Sequence, residues 1–302
     1  CMLKFRSNFL VISICLVCLG ALALGASEPL RVFVSISPQK FFVEKIGQDL
    51  IDVEVLLGPN SNPTTFQPSI SQLKRFAKSR YYFRIGLPFE TGFIHKIRNQ
   101  PSLPEIVNTQ KGMELKEISH SHHSHNDHNS NERPTPGPHP SFFPDPHTWL
   151  DPNLVKIQAE TIFEKLVSAL PEKRSELERR LMNFKNDLET TDKEIKKILE
   201  LAKGKTLFVF HPSFGYFSDA YGLNQLALET DGRQPSPRQL RAFMTQARQQ
   251  KVSTMFVQSR FNRRTAEIAA KAMNLKLERL DPLAEDYLLN LKKMAILIAS
   301  RI

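Results

Sequence analysis

The sequence predicts an α/β protein of two β/α lobes, each with a parallel-type sheet, joined by one long rigid helix. Three observations predict this fold class. Short apolar runs alternate with amphipathic stretches, which is the rhythm of βαβ units. An irregular segment over residues 116–146 interrupts the rhythm, and a single long helical pattern follows it. The βαβ rhythm then begins again and continues to the last residues.

Residues 1–26 are predicted to be a signal peptide. Lys4 and Arg6 precede an uncharged run over residues 9–24, which ends among small residues. A basic start, an apolar centre and a small-residue end are typical of a secretory signal. An uncleaved membrane anchor is the alternative, and we disfavour it because the run is shorter than the roughly 20 residues that a membrane span needs. We therefore expect an exported protein, periplasmic or at the cell surface, that is soluble after cleavage.

The cysteines and the charge limit the classes of function. All three cysteines lie in the predicted leader, so the mature chain has no thiolate for a metal and no disulfide. Neither Cys15 nor Cys18 follows a small residue, which disfavours a lipid-modified cysteine. The formal charge of +10 comes from lysines and arginines that are interspersed with acids. We interpret it as a solvated basic surface and expect no nucleic-acid partner.

The N-terminal lobe is predicted over residues 27–170. Runs rich in β-branched and aromatic residues predict its strands, and amphipathic stretches predict the helices between them. The predicted strands are 31–36, 51–57, 81–85 and 106–108, and the predicted helices lie near 38–48, 69–78 and 89–99. The segment 116–146 is rich in His, Ser, Asn and Pro and has no apolar period, so it is predicted to be a loop. A helical pattern resumes at about residue 153.

A linker helix is predicted over residues 171–202. Pro171 suits the first turn of a helix, and Gly204 suits the position after its end. Apolar residues recur at intervals of three and four along one face; these are Leu177, Leu181, Phe184, Leu188, Ile195 and Leu199. A helix this long between two β/α halves is best explained as the connection that spans both.

The C-terminal lobe is predicted over residues 203–302. The same alternation predicts strands at 207–210, 252–257 and 275–280, and a shorter strand near 226–229. The predicted helices are 214–221, 236–250, 262–273 and 284–300. The two lobes therefore share an architecture, although the sequence shows no repeat between them.

Histidine is concentrated in the predicted loop. Seven of the nine histidines lie between His120 and His147, and neutral imidazole is the commonest side-chain metal ligand. The loop histidines are predicted to form an auxiliary site that collects metal; they are His120, His122, His123, His125, His128 and His139.

Two solitary histidines and one aspartate are the candidate ligands of an ordered site. In open parallel sheets, ligands bind beyond the carboxyl ends of the strands. His211 follows the strand that ends at residue 210, Asp281 follows the strand that ends at residue 280, and His147 comes from the end of the irregular segment. Two imidazoles and a carboxylate suit zinc, which prefers four tetrahedral ligands. Taken singly, each could instead be a hydrogen-bonding loop residue or a turn residue.

Four motifs resemble the signatures of the zinc/manganese solute-binding proteins of bacterial ABC transporters. They are the segments 145–152 (DPHTWLDP), 211–217 (HPSFGYF), 229–237 (ETDGRQPSP) and 280–283 (LDPL), and the resemblance runs from about residue 30 to the C-terminus. It implies a metal in the cleft between the lobes and no enzymatic activity. Because the third ligand position is His211, it favours zinc over manganese or iron. It also implies a monomer that delivers its ion to a membrane permease.

The ATPase of such an importer is expected to be another chain. This sequence has no phosphate-binding loop of the GxxxxGK[ST] type.

Two positions depart from the family pattern. Thr64 stands where the family has a histidine ligand in a loop resembling Pro-Gly-x-x-Pro-His-x-Tyr-x-Pro, and Gln258 stands where relatives often carry an acid. The site would then keep three ligands, and a water or a loop histidine such as His139 could complete it. One alternative is a degenerate member that buffers zinc or binds another ligand or surface partner. A remote alternative is a zinc hydrolase, because three ligands with an open position are the pattern of catalytic zinc.

Overall fold

The N-terminal half contains one four-stranded parallel sheet. The computed structural model describes residues 28–58, 61, 66–100, 102–118, 144–229, 235–258 and 263–302. Within them the first half has β1 (Leu30–Val34), α1 (Ser37–Gly47), β2 (Ile51–Val55), α2 (Ile70–Phe76), β3 (Tyr81–Arg84), α3 (Pro88–Ile97) and β4 (Glu105–Asn108). The strand order is β2-β1-β3-β4, and every pairing is parallel. The central strands are buried on both faces, which is why they are continuous apolar runs.

The C-terminal half repeats this topology. After α4 (Pro152–Ala169) and α5 (Arg174–Ile198) come β5 (Thr206–Val209), α6 (Gly215–Ala220), β6 (Asn224–Ala227), α7 (Pro237–Gln249), β7 (Thr254–Gln258), α8 (Arg263–Met273), β8 (Lys276–Leu280) and α9 (Tyr287–Ala299). The strand order is β6-β5-β7-β8, again all parallel. The predicted fold class is therefore confirmed.

Local sequence explains where several helices begin. Ser69 and Ser236 each start a capping box, in which the serine and a glutamine three residues later satisfy each other's backbone N–H groups. Asp151 caps α4, where Pro152 occupies the first turn at no cost because its missing N–H would have no helical partner.

The linker helix joins the two halves through one buried face. All six apolar positions predicted for that face are at most 8% exposed. The Arg180 guanidinium donates to the carbonyl of Gly47 at 2.6 Å and to Asp49 at 2.9 Å, which fixes α5 to the N-terminal lobe. On the other side, Lys292 of α9 pairs with Glu194 of α5 at 3.1 Å. Short 3-10 turns at Pro171–Lys173 and Glu200–Ala202 flank α5, so the α-helical part is shorter than the predicted 171–202.

The lobes also contact each other directly. The ring of Tyr287 on α9 packs against Phe42 at 4.8 Å and Phe41 at 6.0 Å, both on α1. The indole N–H of Trp149 donates to the carbonyl of Pro282 at 2.8 Å, and the Tyr287 hydroxyl donates to the carbonyl of Trp149 at 2.7 Å. These buried contacts hold the end of β8 beside the segment that carries His147.

Two strands of the second sheet differ from their predicted positions. Strand β6 begins at Asn224, two residues before the predicted start. The prediction missed this start because Asn224 and Gln225 are polar and interrupt the apolar pattern of a strand. Strand β7 begins at Thr254, not at residue 252, because Lys251 adopts a left-handed backbone with φ of 51° and the turn extends past it. Within the described ranges, no helix is both long and apolar enough to cross a membrane.

Candidate metal centre

His147 lies between the end of the irregular segment and the start of α4. The residues that follow it form a 3-10 turn, Thr148–Leu150, before Asp151 caps the helix. His147 is 8% exposed, and its ring lies 5.1 Å from the buried Trp149 ring. Trp149 is in turn fixed to the other lobe, so the position of His147 depends on both halves of the molecule.

His211 lies just beyond the carboxyl end of β5. The Gln258 side-chain amide, at the end of the neighbouring strand β7, donates to the His211 carbonyl at 3.1 Å and also contacts the Ser213 hydroxyl. Gln258 itself is 3% exposed. Gln258 therefore supports the backbone of His211, although the sequence indicated it only as a departure from the family pattern.

The two histidines face each other across the lobes, and each one is oriented by a carboxylate. Their ring centroids are 5.6 Å apart. The Nδ1 atom of His147 lies 2.5 Å from Asp145 Oδ1, and the Nδ1 atom of His211 lies 2.8 Å from Glu229 Oε2. Because an ionised carboxylate can only accept, each Nδ1 carries the proton and the lone pair lies on Nε2. Carboxylate–histidine pairs of this kind orient and strengthen metal-binding imidazoles.

Burial keeps His211 neutral near pH 7. Desolvation lowers the pKa of His211 below its ordinary value of 6.5, and the hydrogen bond to Glu229 opposes this shift only in part. A metal binds the neutral imidazole and competes with protons for it. The lowered pKa therefore leaves His211 ready to bind a metal at neutral pH.

Asp281 lies at the same edge of the second sheet, directly after β8. Its carboxylate Oδ1 accepts the backbone N–H of Leu283 at 3.0 Å, and its carbonyl accepts from the Asn290 amide at 2.7 Å. Next to it, the Pro282 carbonyl contacts Trp149. Over the described part of the chain, no three His, Cys, Asp or Glu side chains form a group that could hold a metal. The structure thus brings His147 and His211 together, and the role of these two histidines and of Asp281 as metal ligands stays a prediction.

The comparisons with known proteins identify the family of the chain. Residues 32–300 match the family model of the periplasmic zinc-uptake complex component A, ZnuA. The chain belongs to this family. ZnuA-family proteins are the substrate-binding components of metal uptake systems.

Individual relatives support the same assignment. The high-affinity zinc uptake system protein ZnuA of Yersinia pestis is 27% identical over 271 residues, covering 86% of this chain and 85% of that protein. A crystal structure of ZnuA has a TM-score of 0.79 at 32% identity and covers 90% of this chain and 99% of that one. A ZnuA deletion mutant with zinc bound has the same TM-score at 33% identity, with coverages of 90% and 98%.

The remaining predicted site residues of this ZnuA-family chain lie outside the described residues. They are Thr64 and the loop histidines His120, His122, His123, His125, His128 and His139. Two residues after Thr64 in the sequence, the Phe66 ring packs edge-on against Phe89 at 5.1 Å.

Sequence reasoning did not assign Asp145 and Glu229 as the partners of the two histidines. Asp145 lies two residues before His147, and its carboxylate also accepts the His147 backbone N–H at 3.0 Å. That short spacing was a usable signal for Asp145. Glu229 is eighteen residues from His211, so its role depends on the pairing of two strands.

Proposed function

We propose that this protein captures zinc outside the cytoplasm, as a monomer, and delivers it to the membrane permease of an ABC importer whose ATPase is a separate chain. One observation carries the proposal: His147 and His211 come from different lobes, lie 5.6 Å apart by ring centroid, and each donates its Nδ1 proton to a carboxylate. Both imidazoles are thereby prepared to bind a cation through Nε2.

The separation of the two rings fits one shared zinc ion. With Zn–N bonds of about 2.0–2.1 Å, two imidazoles on a tetrahedral zinc have ring centres about 5 Å apart. The observed 5.6 Å needs only a small adjustment. Imidazole suits zinc, whereas manganese prefers oxygen ligands, so we place zinc ahead of manganese and iron.

The other ligands are part of the proposal. Asp281 is the third ligand, supplied from the carboxyl end of β8, and its carboxylate would exchange the Leu283 N–H for the metal. The position of Thr64 is left to a water or to a histidine of the loop, with His139 the nearest in sequence. The other loop histidines collect metal weakly near the cleft.

Calorimetric titration of the mature protein with zinc tests this function. We expect sub-micromolar binding at one site, and a loss of about 100-fold or more in His147→Ala and in His211→Ala, because each removes a ligand. The matched control is His95→Ala, an exposed histidine on α3, which should bind as the wild type does. Wild-type protein that binds no more tightly than micromolar would contradict the proposal.

The same titration distinguishes the two alternatives. A degenerate member acting as a buffer would keep its binding in His147→Ala and lose it when the loop histidines are replaced by serine. A zinc hydrolase would show zinc-stimulated ester hydrolysis that Asp281→Ala abolishes. Two intact, carboxylate-oriented imidazoles favour the uptake function over the buffer.

A further inference from the structure

The two ends of the histidine-rich segment meet at a short neck. We define the neck as Lys116, Glu117, Pro144 and Asp145. Glu117 and Pro144 form an antiparallel bridge, and the Asp145 N–H donates to the Lys116 carbonyl at 2.7 Å. The neck belongs to the N-terminal lobe, and it ends two residues before His147.

A single tyrosine of the opposite lobe closes the neck. The hydroxyl of Tyr216 on α6 accepts the Lys116 N–H at 3.0 Å and donates to the Asp145 carbonyl at 3.3 Å. Tyr216 is 3% exposed. The Lys116 ammonium lies 5.5 Å from the centre of the Tyr216 ring and pairs with Asp219, which is also on α6. One hydroxyl therefore bonds both strands of the neck.

Asp145 connects this contact to the metal site. Its carbonyl accepts from Tyr216, while its carboxylate Oδ1 accepts from the Nδ1 and the backbone N–H of His147. Its other carboxylate oxygen packs against Gly215, where an added Cβ would lie 3.1 Å away. Asp145 is thus held between the neck and the first turn of α6, and it has little room to move while the lobes are together.

We propose that Tyr216 is a positioning residue that makes the orientation of His147 depend on the apposition of the two lobes. The proposal rests on the proposed zinc site. While the lobes are together, Tyr216 fixes Asp145, and Asp145 fixes the imidazole with its Nε2 towards the metal. When the lobes separate, the hydroxyl loses both partners, and Asp145 keeps only its bonds within the N-terminal lobe. The His147 ring then loses its orientation, and the ion is released from that side.

The test compares two tyrosine-to-phenylalanine variants of the full mature chain. Tyr216→Phe removes the bridging hydroxyl and keeps the ring. Tyr221→Phe is the matched control: it lies just after the same helix and is 2% exposed, and its hydroxyl interacts with Asp192 on α5 rather than with the neck. Zinc dissociation is followed by stopped-flow transfer to an excess of chelating dye, and cobalt(II) absorption reports the coordination geometry.

We expect zinc to dissociate about 10-fold faster from Tyr216→Phe, at the lower end of the effect seen when partners of metal ligands are removed. The association rate should change little, and the cobalt spectrum should shift. Tyr221→Phe should match the wild type in all three measurements. Gly215→Ala probes the same aspartate from the other side, and it should also speed dissociation.

Failure of the positioning role and failure of the proposed function are distinguishable. If the wild type binds zinc tightly but Tyr216→Phe has the dissociation rate and cobalt spectrum of Tyr221→Phe, the positioning role is wrong and the zinc site stands. If Tyr216→Phe folds poorly, an unchanged dissociation rate in Gly215→Ala overturns the role in the same way. If the wild type itself binds no zinc, the proposed function fails first.

Discussion

Replacing Glu229 tests whether the buried carboxylate partner of His211 contributes to metal affinity. Glu229 is 7% exposed and accepts the Nδ1 proton of His211 at 2.8 Å. Glu229→Ala leaves that buried N–H without this acceptor and allows the ring to rotate. Removal of such partners lowers metal affinity by about 10- to 100-fold, and the burial of the pair places the expected loss near the upper end, about 2–2.7 kcal/mol. Glu229→Gln keeps an oxygen acceptor but loses the charge, so we expect about 10-fold, or ~1.4 kcal/mol.

The assay is competition with a zinc-chelating dye at pH 7.5 and at pH 6. The Glu229 carboxylate raises the pKa of His211 by stabilising the imidazolium, while burial lowers it. Without the carboxylate the pKa falls further, so protons compete less with zinc. The affinity gap between variant and wild type should therefore narrow at the lower pH. Glu172→Gln, an exposed acid before the linker helix, is the control. Affinity of Glu229→Ala within twofold of the wild type, or a gap that widens at pH 6, would refute this reasoning.

Three further variants test other parts of the structure. Burial raises the pKa of Glu90 above its ordinary value of 4.5. The protonated Glu90 side chain therefore stabilises the fold fully below pH 4.5, and this stabilisation is lost as the pH rises through the raised pKa. Glu90→Gln should reduce this decrease in the free energy of unfolding, measured with urea from pH 4 to 8. Trp149→Phe leaves the Pro282 carbonyl without its donor and should cost about 1–3 kcal/mol, measured by circular dichroism because Trp149 is the single tryptophan. Thr64→His should raise zinc affinity at least 10-fold in calorimetry if a missing ligand limits it, since imidazole binds zinc and a neutral hydroxyl does not; unchanged affinity would mean that another group already fills that position.

The fold could be predicted because its signals are periodic and long. The linker helix buries all six apolar positions that its period of three and four selects, from Leu177 to Leu199. The parallel sheets appear as continuous apolar runs because both faces of their central strands are covered. Strand boundaries were less predictable, since they depend on single turns. Lys251 has a left-handed backbone, and strand β7 therefore begins after it. Lysine rarely adopts this conformation, so the sequence does not indicate it.

The position of His211 after a strand was predictable from the sequence, whereas its contact with Glu229 depends on strand register and was not. His211 was found because it comes directly after an apolar run, but its carboxylate partner is eighteen residues away. Parallel pairing of β5 with β6 places Val209 opposite Ala227, an offset of eighteen. The same offset, continued two residues beyond both strand ends, places His211 beside Glu229. The predicted strand at 226–229 included Glu229 within β6, and a side chain inside a strand is not expected among the ligands beyond the sheet. An error of two residues in the predicted end of β6 was therefore enough to prevent the assignment of Glu229 as the hydrogen-bond partner of His211.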